Sequence, residues 1–101
     1  MSDLASSVER LHTQVSHWER ARWSRPAPAG TKADLMYALV QRLADLAADA
    51  EHRPRRPVPR EHDMVLPDQL RVMSDDLLAA DPPAAVLAAA TAAVEELRVT
   101  L

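Results

Sequence analysis

The chain has 101 residues, a net charge of −3, no Cys and a single Gly. That length argues for one domain with a modest core and little room for a deep, walled substrate pocket. The lack of Cys excludes a disulfide framework and a thiolate metal site, and no run approaches the ~18 apolar residues of a membrane span. Abundant Ala and Leu, with few aromatic and β-branched residues, favour helix over sheet. Arg outnumbers Lys eleven to one, which fits a G+C-rich coding sequence. The first residues lack the basic flank and apolar run of a signal peptide, so a cytoplasmic protein is expected.

Four helices are expected, at about 3–23, 32–51, 67–80 and 83–101. In the first, Leu4, Val8, Leu11, Val15 and Trp18 recur at spacings of four and three, the stripe of a helix packed on one face. Ser2 or Asp3 can cap its start. Pro26 disfavours helix at Arg25 and so ends it. Residues 27–30 then read as a short linker.

Thr31 and Asp34 resemble a capping box, with Asp in the place of Glu. The second helix follows, its apolar face made of Leu35, Met36, Leu39, Val40, Leu43, Leu46, Ala47 and Ala50.

Residues 53–66 form a Pro- and Arg-rich connection, longer than the ~2–8 residues usual between bundle helices. Extended at ~3.1 Å per residue, it can run the length of the second helix, at ~1.5 Å per residue. The topology is therefore open between up-down-up-down and one long crossover.

The third helix carries Leu66, Leu70, Met73 and Leu77 on its stripe. Asp81 and Pro82 provide a cap and a first residue for the fourth. That helix places Leu87, Ala90, Val94, Leu97 and Leu101 on one face. Four amphipathic helices make an all-α, four-helix bundle over residues 1–101.

Three features go beyond a plain bundle. No charge occurs from Pro82 through Val94, whereas a surface helix normally shows a charged face. Either this helix docks against another chain through residues such as Ala88 and Ala92, or Ala is only a neutral helix former here. Arg53, Arg55, Arg56 and Arg60 make a basic run, which could meet phosphates or an acidic protein, or pair with nearby carboxylates. Arg22, Trp23 and Arg25 join the two residue types most frequent at interface hot spots. Trp23 lies ~140° from Trp18 on a regular helix, so it either caps the bundle against the 26–30 linker or stands exposed.

The chemistry of catalysis is not visible. His12 and His17 are five apart, the wrong spacing for a helical metal pair. His-Glu-x-x-His does not occur, and the di-iron hallmark of two Glu-x-x-His pairs with two further Glu is missing, Glu9 and His12 being the one such pair. Glu61, His62 and Asp63 are consecutive on a loop and point in different directions. Asp75-Asp76 and Glu95-Glu96 read as solvated helix faces. No nucleophile, base and orienter stand together. No cofactor is expected, and neither is a membrane.

The sequence thus points to a non-enzymatic protein–protein interaction module. It would act as adaptor, regulator or small subunit, self-associating as a homodimer through its Ala-rich helix. The partner-binding candidates are Arg22, Trp23, Arg25, Arg53, Arg55, Arg56, Ala88 and Ala92. The alternative is a nucleic-acid-associated regulator using the Arg-rich loop, which the net negative charge and the absence of a recognition-helix pattern disfavour. A small ligand- or metal-binding bundle is the third reading.

Overall fold

A computed structural model describes residues 3–101. Its elements are α1 (Leu4–Val15), α2 (Arg20–Trp23), β1 (Pro26–Ala27), β2 (Gly30–Thr31), α3 (Lys32–Ala50), a 3₁₀ turn (Asp63–Val65), α4 (Leu66–Ala79) and α5 (Ala84–Thr100). The all-α bundle predicted from the periodicity is the fold that forms.

Local chemistry sets most of the boundaries. Asp3 caps α1, its carboxylate accepting from the Ser6 N–H at 2.8 Å; the alternative cap, Ser2, lies outside the described residues. At α3 the capping box is complete: Thr31 Oγ1 accepts from the Asp34 N–H at 3.1 Å, and the Asp34 carboxylate accepts from the Thr31 N–H at 2.9 Å. The end of α3 is also specific. His52 takes a left-handed conformation (φ 55°), the Arg53 N–H donates to the Ala48 carbonyl at 2.8 Å, and the His52 N–H donates to that of Asp49 at 3.1 Å. These two bonds satisfy carbonyls that every helix leaves open at its end.

Two expectations are corrected. The first helix does not run to Trp23. It ends at Val15, turns through Ser16 and His17, and restarts as the single turn α2. A regular helix would hold Trp18 and Trp23 on different faces; breaking it buries both, at 3% and 0% exposure. Second, Asp81 does not cap α5. It adopts φ 48° and terminates α4, while Pro83 is the residue before α5, with no side-chain cap.

The stretch expected to be a linker is a small antiparallel hairpin, pairing Pro26 with Thr31 and Ala27 with Gly30. Gly30 has φ 118°, a conformation costly for any other residue. A side chain there would also strike the Asp34 carboxylate that completes the capping box.

Helix directions follow from their cross-links. Ser7 and Arg10 of α1 reach Glu95 of α5, and Gln14 reaches the Arg98 carbonyl, so α1 and α5 are parallel. Arg71 of α4 pairs with Glu9, while Leu78 and Leu4 share a groove, so α4 is antiparallel to α1. Lys32 at the start of α3 donates to the Leu101 carbonyl, which sets α3 antiparallel to α5. The bundle therefore runs up-down-down-up. Around its perimeter the order is α1, α4, α3, α5, with α4 and α5 on a diagonal. Of the two topologies left open, the crossover is the one adopted. Residues 53–62 return along α3, which the Gln41–Arg56 and Asp34–Arg60 contacts trace.

The core lies on the inner stripes: Leu4, Val8, Leu11 and Val15 of α1; Met36, Leu39, Val40, Leu43 and Ala47 of α3; Leu66, Leu70 and Leu77 of α4; Ala90, Val94 and Leu97 of α5. Each buried Leu or Val contributes about 1.5–3 kcal/mol relative to exposure. Trp18 and Trp23 close one end. Val58 of the crossover is also buried, at 4% exposure, and was not expected in the core.

Candidate interaction surface

α5 is held to the bundle by Ala90, Val94 and Leu97, which repeat at four and three along its inner face. The opposite face is therefore fixed by helical geometry. Ala84, Ala85, Ala88, Ala89 and Ala92 all point outward and are exposed. Val99 continues this face at 80% exposure, the highest among the large apolar residues that stand out from the surface. The first charge along α5 is Glu95.

Grooves flank α5 on both sides. One, of about 550 Å³, lies toward α1 and the end of α4; Leu4, Ala5, Leu78, Leu87, Ala88 and Ala92 give it an apolar lining, with Asp3 and Glu95 at its rim. The other, of about 390 Å³, lies toward α3 between Leu35, Ala38 and Leu39 on one wall and Ala93 and Leu97 on the other, with Arg42 and Glu96 beside them. An Ala ridge lets a second backbone approach closely, and bulkier side chains of that backbone would find apolar ground in the grooves.

Glu95 is not a solvated position as expected. Ser7, buried at 0% exposure, donates its hydroxyl to the Glu95 carboxylate at 2.8 Å. Arg10 donates to the same oxygen, and Arg98 to the other oxygen at 2.9 Å. Hydrogen bonds from Arg10, then Arg98, then Ser7 hold the Glu95 carboxyl down to about 2. This node locks α5 to α1 and fixes which face of α5 turns outward.

The Arg-rich loop pairs with its own molecule. Arg53 lies 2.7 Å from Glu51. Arg55 forks onto Asp49 with bonds of 3.0 and 2.7 Å, which lowers the Asp49 carboxyl and raises the Arg55 guanidinium. Arg60 pairs with Asp34 at 2.9 Å and stacks over Tyr37 at 4.7 Å. The backbone Thr31 N–H and then Arg60 hold Asp34 below the ordinary carboxylate range. Of the loop arginines named as contacts, Arg56 is the one without a carboxylate partner among the described residues; its carbonyl accepts from Gln41 at 3.0 Å.

At the other named cluster, of the two positions left open for Trp23 the buried one is adopted, which removes it from the partner-contact candidates. Its ring meets that of Trp18 edge-on, and it caps the bundle end. Arg22 lies over the Trp18 ring at 4.9 Å and Lys32 at 5.2 Å, so these cations are engaged with the aromatic pair. Arg25 is exposed. The named residues thus separate: Ala88 and Ala92 share one face, Arg53, Arg55 and Arg56 lie on the crossover, and Arg22 and Arg25 flank the Trp end.

Among the described residues no group of three or more His, Cys, Asp or Glu is placed to hold a metal ion, and no helix is long and apolar enough to cross a membrane. No protein-family model, curated protein or solved structure matches the chain.

Sequence reasoning missed the residues that seat the crossover. Tyr37, Gln41 and Gln69 bond its backbone. The available signal was Val58, the one aliphatic residue inside a run of Arg and Pro.

Proposed function

We propose that the chain is a non-catalytic interaction module that self-associates through the outward face of α5. It would then serve as an adaptor, regulator or small subunit. The observation that carries this reading is the uncharged stretch from Pro82 to Val94, whose Ala84, Ala85, Ala88, Ala89 and Ala92 face solvent. Solvated helix faces are ordinarily charged. Over that stretch this face instead adjoins two grooves with apolar walls, an apolar surface of the kind that marks protein interaction sites, which Glu95 and the exposed Glu96 divide from Val99. A two-fold pairing uses the same patch on both copies, and Ala88 with Ala92 sits at the middle of the exposed stripe.

Light scattering on a size-exclusion column tests this. The expected mass is twice the 11.1 kDa of the chain. Ala88→Glu and Ala92→Glu each place a carboxylate on the face and return the mass to one chain, with helical circular dichroism unchanged. A wild-type chain that stays monomeric up to roughly 100 μM, where an interface of about −5.5 kcal/mol would already associate, refutes self-association.

A further inference from the structure

The crossover between α3 and α4 sits on the bundle as a bound peptide would. Residues 53–62 belong to no helix or strand, and Pro54, Pro57 and Pro59 favour an extended, polyproline-type backbone. Val58 is buried, while its neighbours from Arg55 to Arg60 are exposed. Side chains of the bundle take both polar groups of its backbone. The Val58 N–H donates to Gln41 Oε1 at 2.7 Å, and the Tyr37 hydroxyl donates to the Val58 carbonyl. Gln41 Nε2 donates to the Arg56 carbonyl at 3.0 Å, and Gln69 Nε2 on α4 donates to that of Pro59 at 3.0 Å. Main-chain bonds supply affinity and side-chain pockets supply specificity where an extended peptide is recognised, and both are present around Val58. The rim adds charge: Asp34 and Asp49 of α3 hold Arg60 and Arg55.

The segment fills its groove incompletely. A space of about 200 Å³ remains beneath residues 53–59, bounded by Ala44, Ala47, Ala48 and Met73. Gln69 Oε1 is buried and has no hydrogen-bond donor among the described residues. The prolines at 57 and 59 have no N–H to give.

We propose that the α3–α4 groove is a recognition site for a basic, extended peptide carrying an aliphatic residue beside proline. Residues 53–62 are its built-in occupant. A partner's segment of that chemistry displaces the occupant, pairing its cations with Asp34 and Asp49 and its aliphatic side chain with the Val58 pocket. Tethering keeps the built-in segment at an effective concentration in the millimolar range, so a free peptide competes poorly until the segment is released. This site is separate from the α5 face and stands or falls without it.

The test uses the full chain and a capped peptide copying residues 53–62. Val58→Asp puts a carboxylate into an apolar pocket and expels the built-in segment. In fluorescence-anisotropy titrations this variant binds the peptide about tenfold or more tightly than the wild type does. Adding Gln41→Ala, which removes two main-chain bonds, weakens that binding about tenfold. Should Val58→Asp lose helix by circular dichroism, the added peptide restores it. A helical Val58→Asp chain that binds no better than wild type overturns the proposal. So does binding indifferent to Gln41→Ala, or an unfolded variant that the peptide leaves unfolded.

Discussion

The indole of Trp23 meets that of Trp18 edge-on, with ring centroids 4.9 Å apart and planes at 61°. Such pairs add about 0.5–1.5 kcal/mol beyond the area they bury. Trp23→Ala is therefore expected to cost about 3–5 kcal/mol, seen as a lower urea midpoint. Arg25→Ala, at an exposed position, stays within about 0.5 kcal/mol of wild type. Equal losses at the two positions would contradict this division between core and surface.

The Glu95 node predicts a particular acid dependence. The folded carboxyl titrates at about 2, below its ordinary 4.5. A depressed carboxyl stabilises the fold fully above the unfolded value and loses that effect as pH falls from 4.5 toward 2. Glu95→Gln should be less stable than wild type at pH 7, and the gap should narrow through pH 4 to pH 2. Chemical denaturation at each pH checks this, and a gap constant with pH would assign the loss to packing instead.

His52 holds a left-handed conformation at the position after α3 where glycine is usual. His52→Gly removes the strain of a side chain there, worth about 1 kcal/mol, and keeps both closing hydrogen bonds. The expected outcome is a rise in melting temperature of about 4–8 °C for a domain of this size. A lower melting temperature would mean that the imidazole makes a contribution larger than its strain.

The reverse holds at Gly30. Gly30→Ala places a side chain at φ 118° and against the Asp34 carboxylate, disturbing the cap of α3. Together the strain and the weakened cap should cost about 1–3 kcal/mol. Hydrogen exchange should localise the loss to the first turn of α3; uniform loosening of the bundle would point elsewhere.

Features written in short-range chemistry were legible in the sequence. The Thr31–Asp34 box and the stripes of α3, α4 and α5 need only neighbours within one or two turns. The break after Val15 was not legible, because no Gly or Pro marks it. It exists because burying two indoles outweighs a continuous helix, a decision taken by tertiary packing. The seating of Val58 was hidden for the same reason: Tyr37 and Gln41 look like ordinary polar positions until the chain folds back 17 to 21 residues later. For the Arg-rich run the sequence left a partner and its own carboxylates both open, and the second holds: Asp49, six positions from Arg55, and Asp34, 26 positions from Arg60, claim those two cations. The α5 face differs, since its lack of charge is visible in the sequence and its exposure only in three dimensions.

The parallel pairing of α1 with α5 also sets the timetable of synthesis. Ser7 and Glu95 are 88 positions apart. At about 5–20 residues per second, α1 leaves the ribosome roughly 4–18 s before its partner in that node exists. Through that interval Leu4, Val8, Leu11 and Val15 have no α5 to cover them, and α3 and α4 must bridge the gap alone. A nascent chain of this design carries the inner stripe of α1 without its α5 partner until the last helix is made.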